Sequence, residues 1–145
     1  MYGYALKLLR SRDYSVSQLC QKLEKKFGSA PQELIEQLLK KNFLNDRRFA
    51  ENYAARRRDR GRAVLLEELS ARGIAPELAA EVLAKTDWPS LREAVAATMD
   101  GWKLSPPLQS RDAARLFRAL ARLGYEEDAI REEIELQLTD NKNEQ

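Results

Sequence analysis

The chain contains no histidine and a single cysteine, Cys20, in 145 residues. Without histidine the commonest general base is missing. One thiol and no imidazole cannot assemble a zinc site, and a lone thiol cannot close an internal disulfide. Glycine and proline number six and five, and Val and Ile are few beside Leu, Ala, Glu, Arg and Lys, a composition that favours helix over sheet. No apolar run approaches the roughly 18 residues of a membrane span, and Met1 to Lys7 lacks the apolar stretch of a signal peptide. No glycine-rich phosphate loop is present. These absences exclude the usual catalytic, metal and nucleotide motifs. The expectation is a non-enzyme without cofactors that acts in the cytoplasm and contacts no membrane.

Charge is plentiful: 33% of residues are charged against 43% hydrophobic, and the net is +2. It is unevenly spread. Residues 126–145 hold eight acids and two bases, leaving 23 bases and 15 acids in residues 1–125. A basic body favours nucleic acid or an acidic protein groove, and the acidic end weighs against plain DNA binding.

Apolar residues recur at helical spacing. Leu6, Leu8 and Leu9 mark a first short helix. Ser15-Val16-Ser17-Gln18 has the form of a capping box, and Val16, Leu19, Cys20, Leu23 and Phe27 form one face behind it. Cys20 reads as a small buried core residue. Gly28 closes that helix, and Pro31 opens another with Leu34, Ile35, Leu38 and Leu39 inside. Asn45 or Asp46 caps a helix with Phe49, Ala50, Tyr53 and Ala54 buried. Leu65, Leu66 and Leu69 follow, then Leu78, Ala79, Val82 and Leu83, then Leu91, Val95 and Met99. Leu104 to Ser110, with Pro106-Pro107, is the longest irregular link. Leu116, Phe117, Leu120 and Leu123 precede Gly124, and Ile130, Ile134 and Leu138 stripe the last helix.

The pattern repeats. Gly28-Ser29-Ala30-Pro31 returns 45 positions later as Gly73-Ile74-Ala75-Pro76, and Phe43 falls on Trp88. Gly124-Tyr125 echoes it once more, 51 positions on, with the extra residues absorbed by the Pro106-Pro107 link. Helices this short are marginal alone, and stacking the units buries their apolar faces. The fold class expected is all-α: an elongated array of tandem three-helix repeats, about nine short helices in all. The expected boundaries are 1–42, 43–87 and 88–139, with 140–145 a disordered tail. Trp88 and Trp102 are expected to fill unit boundaries.

The helix that starts at Asp46 ends in arginines. On a helical wheel Arg56, Arg57 and Arg60 continue the face of Phe49 and Tyr53, so the helix is expected to run past its own core. Arginines at a helix C-terminus are favoured by the macrodipole by about 0.3–1 kcal/mol each. That accounts for one or two, not for five between Arg56 and Arg62. Guanidinium forks suit phosphates and carboxylates. The candidate partner-binding residues are Arg47, Arg48, Arg56, Arg57, Arg58, Arg60 and Arg62, with Lys25 and Lys26 as further basic charge. Aromatic residues are not interleaved with these bases, so base-stacking readout is not expected.

Phe43-Leu44-Asn45-Asp46-Arg47-Arg48-Phe49-Ala50, followed by the arginine-rich helix end, resembles the signature of the bacterial RecX family, regulators of the RecA recombinase. Ala5 to Ser15 is similar to the family's opening, Leu66 to Ile74 to its middle segment and Phe117 to Tyr125 to its last unit. Asp59-Arg60-Gly61-Arg62-Ala63 departs from it by lacking the aromatic that commonly follows the tract. The resemblance implies tandem three-helix repeats and binding in the groove of the RecA–DNA filament. It further implies inhibition of strand exchange, ATP hydrolysis and co-protease activity, hence a role in recombination, DNA repair and the SOS response. The expected partner is the RecA protein filament, with single- and double-stranded DNA as further partners, and the expected state is a monomer. Two rival readings remain at this point: a helix-turn-helix-like DNA-binding module without RecA dependence, and a scaffold repeat protein.

Overall fold

A computed structural model describes residues 1–138, and among them the chain folds as nine α-helices with no strand. The helices are α1 (Tyr2–Ser11), α2 (Val16–Phe27), α3 (Gln32–Lys40), α4 (Asp46–Arg56), α5 (Arg62–Ala71), α6 (Pro76–Lys85), α7 (Leu91–Gly101), α8 (Ser110–Arg122) and α9 (Glu127–Leu138). A 3-10 turn, Arg58–Arg60, lies between α4 and α5. None of these helices is long and apolar enough to cross a membrane. The tail expected at 140–145 lies outside the described residues.

Shifting α1, α2 and α3 by 45 positions reproduces α4, α5 and α6 to within a residue or so at each end, and shifting α4 by 45 reproduces α7. From there the offset grows to 51, which carries Pro76 of α6 to Glu127 of α9. The added residues fall in the link between α7 and α8.

Local chemistry explains the starts. Ser15 forms the expected capping box: its Oγ accepts from the Gln18 amide at 3.1 Å, and Gln18 Oε1 accepts from the Ser15 amide at 3.1 Å. Asn45 Oδ1 accepts from the Arg48 amide at 3.0 Å, and Ser90 Oγ from the Glu93 amide at 3.1 Å. Pro76 is the first residue of α6, whereas Pro31 is the N-cap of α3, one position before the helix it was expected to open.

The chain divides into two compact units. Among the described residues, the first holds 1–57 and 65–86 and the second 58–64 and 87–138. In the first, Ala5, Leu19, Leu23, Leu34, Leu38 and Leu44 form one buried cluster, and α4 packs on α6, with Phe49, Ala50, Val82 and Leu83 buried. In the second, α7, α8 and α9 pack against one another around Val95, Leu116, Leu120 and Ile130.

Not every stripe position is buried. Leu39, Leu66 and Leu138, all expected inside, are exposed. Phe27, at the last position of α2, is 40% exposed and meets Tyr4 edge-on at 5.5 Å. Phe43 is 44% exposed while Leu44 takes the interior place. Cys20 is half-buried, not a core residue, and its thiol pKa is raised first by burial and then by Glu24 and Asp46.

Candidate partner-binding site

A polar seam inside the first unit sets the position of α4. Asp46, the first residue of α4, accepts a hydrogen bond at 2.8 Å from the amide of Val16, the first residue of α2. That amide is one of the donors a helix start leaves unpaired, and a carboxylate there also meets the positive end of the helix dipole. The fully buried Ser15 donates its hydroxyl proton to the Arg72 carbonyl at 2.6 Å. Gly73 follows with φ +83, and a Cβ on it would run into Cβ and Oγ of Ser17. Glycine is required there twice, for the left-handed backbone and for the close approach.

The arginines at the start of α4 are bound within the fold. Arg47 forms a two-pronged pair with Glu81 of α6, with both nitrogen–oxygen distances 3.2 Å. Its hydrogen bonds, and then its charge, hold the Glu81 carboxyl below its usual range. Arg48 donates to the carbonyls of Asn42 at 2.9 Å and Phe43 at 3.2 Å, closing the turn that follows α3.

The tract at the other end is not one helix running past its core. α4 stops at Arg56, and Arg57 leaves helical geometry at φ −131, ψ 33. Arg57 instead lays its guanidinium 3.8 Å from the centre of the Tyr53 ring. Arg58 donates to the Asp87 carbonyl at 2.7 Å and faces its carboxylate at 3.6 Å. Gly61, at φ +85, brings the backbone so close to that of Leu123 that a Cβ would lie 2.8 Å from its Cα. These contacts bend the chain where the wheel continued it straight. Arg56 and Arg57 therefore belong to the first unit, and Arg58, Arg60 and Arg62 to the second, where the Arg62 guanidinium lies 5.9 Å from the Trp88 ring.

Arg56 and Arg57 open onto a hollow of about 230 Å³ in the first unit, lined also by Arg12, Asp13, Gln18, Phe49, Tyr53 and Arg72. Tyr53 is its floor. The ring is buried, stacks on Phe49 at 5.9 Å and donates its hydroxyl proton to Glu68 at 3.1 Å. The Arg72 guanidinium lies 4.7 Å from the same ring and donates to the Glu68 carbonyl at 2.9 Å. Arg12 lies 4.5 Å over Tyr14. Each such cation–ring contact contributes about 0.5–2 kcal/mol and orients the guanidinium it holds. Four arginines and one aspartate line the hollow. It carries no histidine and no paired acid and base.

Of the candidate residues, Arg56 and Arg57 line this hollow together. Lys25 and Lys26 are exposed in the last turn of α2, with Lys26 Nζ 4.4 Å over Tyr4. Sequence reasoning missed Arg12 and Arg72. The repeat carried a signal for both: the 45-residue offset puts Arg12 on Arg57, each one residue past its helix, and Phe27 on Arg72. An arginine standing where the first repeat has an aromatic was the visible departure.

Comparison with known proteins agrees with this repeat. The family model for the second three-helix domain of RecX matches residues 45–83. The regulatory protein RecX of Chromohalobacter salexigens is 36% identical over 135 residues, which span 88% of this chain and 86% of that one. The regulatory protein RecX of Trichlorobacter lovleyi is 35% identical over 144 residues, spanning 92% and 93%. The crystal structure of RecX from Lactobacillus salivarius shares the fold, with a TM-score of 0.72 at 20% identity over 93% of this chain and 94% of that one. The relatives are named as regulatory proteins, not as enzymes. With such identity along nearly its whole length, the chain belongs to the RecX family of regulatory proteins.

Proposed function

We propose that this chain binds the RecA–DNA filament and inhibits the recombinase, ATPase and co-protease activities of RecA. The observation that carries this reading is its likeness, over most of both chains, to proteins named as the regulator RecX. In this reading the protein is a cytoplasmic monomer with no catalysis of its own. Arg56 and Arg57, then Arg58, Arg60 and Arg62 beyond the bend, meet acidic protein surface or filament DNA, with Lys25 and Lys26 adding long-range attraction. Arg47 and Arg48 act indirectly by holding the start of α4.

The test is the ATPase of RecA on single-stranded DNA. Inhibition is expected at stoichiometric amounts of this protein, and its absence contradicts the reading. A DNA-binding module without RecA dependence is the second reading, supported by the arginine-lined hollow. It predicts equal affinity for naked DNA and for filaments, with affinity falling steeply as salt rises.

A further inference from the structure

We propose that the hollow formed by Arg12, Arg56, Arg57 and Arg72 is a phosphate site that grips the backbone of a nucleic-acid strand without reading its bases. Four guanidiniums against the single carboxylate of Asp13 give the lining a formal charge of +3. Elsewhere Arg47, Arg58, Arg92 and Arg131 are ion-paired, whereas Arg12 and Arg56 have no carboxylate partner among the described residues. Arg57 and Arg72 are oriented beforehand by the Tyr53 ring and by backbone carbonyls, so little freedom remains to be lost when an anion arrives. A lone side-chain carboxylate would leave most of this charge unmatched. A phosphodiester chain delivers anions at close, regular spacing, each with oxygens that fit a guanidinium fork.

Base readout is excluded by the same geometry. Single-strand binders stack bases on open aromatic faces. Here Tyr53, Phe49 and Tyr14 are buried, and the Tyr53 hydroxyl is bound to Glu68. The site therefore senses charge and spacing alone.

The experiment contains no RecA, so its outcome is separate from that of the filament reading. Binding of the full chain to a labelled oligothymidylate, and to an abasic phosphodiester strand of equal length, is followed by fluorescence anisotropy across salt. Equal affinity for the two strands is expected. The double variant R12E/R56E, with unchanged helix content by circular dichroism, is expected to bind about tenfold more weakly or worse, with a salt slope shallower by about 1.4, two contacts on a single strand. R111E/R118E, on exposed positions of α8, is expected to bind as the parent does. Pyrophosphate is the competitor that separates sources: displacement at the strand's own affinity assigns a free phosphate ligand, and displacement only at far higher concentration assigns the chain. Unchanged affinity in R12E/R56E, equal weakening in R111E/R118E, tighter binding of the base-bearing strand, or displacement by oligoglutamate as effective as by a strand would each overturn the proposal.

Discussion

Helix α4 carries arginines near both ends, and the two sets are held differently. At its start Arg47 is matched by Glu81 and Arg48 by two carbonyls, while Asp46 completes the first turn of α2. No buried side-chain nitrogen or oxygen among the described residues lacks a hydrogen-bond partner. At its end Arg56 has no carboxylate partner among the described residues, and Arg57 is held by the Tyr53 ring and by one long hydrogen bond, 3.4 Å, to the Tyr53 carbonyl. A guanidinium whose prongs are taken up by a carboxylate, as in Arg47, or by two carbonyls, as in Arg48, contributes to the fold. One that is oriented but left without a counter-charge keeps its affinity for a partner. The lesson is that arginine-rich stretches divide by what answers the charge, not by how many arginines they hold.

The contrast can be broken first at the seam. Gly73→Ala is expected to cost about 2–4 kcal/mol, since left-handed strain and the collision with Ser17 add. Gly28→Ala, with the same backbone conformation and open space around it, is expected to cost only about 1 kcal/mol. Urea denaturation of the two variants measures the difference directly. Asp46→Ala comes next, at about 1–3 kcal/mol, because the Val16 amide loses its acceptor; Asp46→Asn, which keeps an acceptor oxygen, is expected to recover most of that. Asn45→Ala is expected to cost about 1 kcal/mol by removing the cap of α4, again read from the urea midpoint.

At the other end the stability effects shrink and the partner effects begin. Arg12→Glu and Arg56→Glu, both on exposed positions, are expected to change stability by no more than about 0.5 kcal/mol. The smallest effect belongs to Glu81→Gln. The Glu81 carboxyl is held below its usual range in the fold, so the stability it contributes is present above the ordinary carboxylate range and fades as pH falls through its lowered value. The melting temperatures of parent and variant are expected to differ slightly at neutral pH and to converge in acid. A difference that grew on acidification would contradict the Arg47–Glu81 assignment.

Much of this arrangement was legible before any coordinates. Ser15 and Gln18 announce a capping box because their chemistry is local. The Gly–X–Ala–Pro repeat announces three-helix units because both ends of a connection are constrained by glycine and proline. The Pro106-Pro107 link was placed correctly as the site where the register slips. What the sequence concealed is non-local. A wheel continues a helix until something stops it, and what stops α4 is the ring of Tyr53 beside Arg57 and the close backbone pass at Gly61. Arg12 and Arg72 lie far from Arg56 in the chain, so no window along the sequence contains the hollow. Stripe positions at helix ends, such as Phe27 and Leu138, look identical to central ones in periodicity but are exposed in the fold.

The most direct test compares parent and R12E/R56E in the RecA ATPase assay on single-stranded DNA, with urea midpoints measured alongside. The expected result is inhibition by the parent, loss of inhibition in the variant, and matching midpoints. Full inhibition by a variant that is equally stable would contradict the division of α4 into an end that builds the fold and an end that meets the partner.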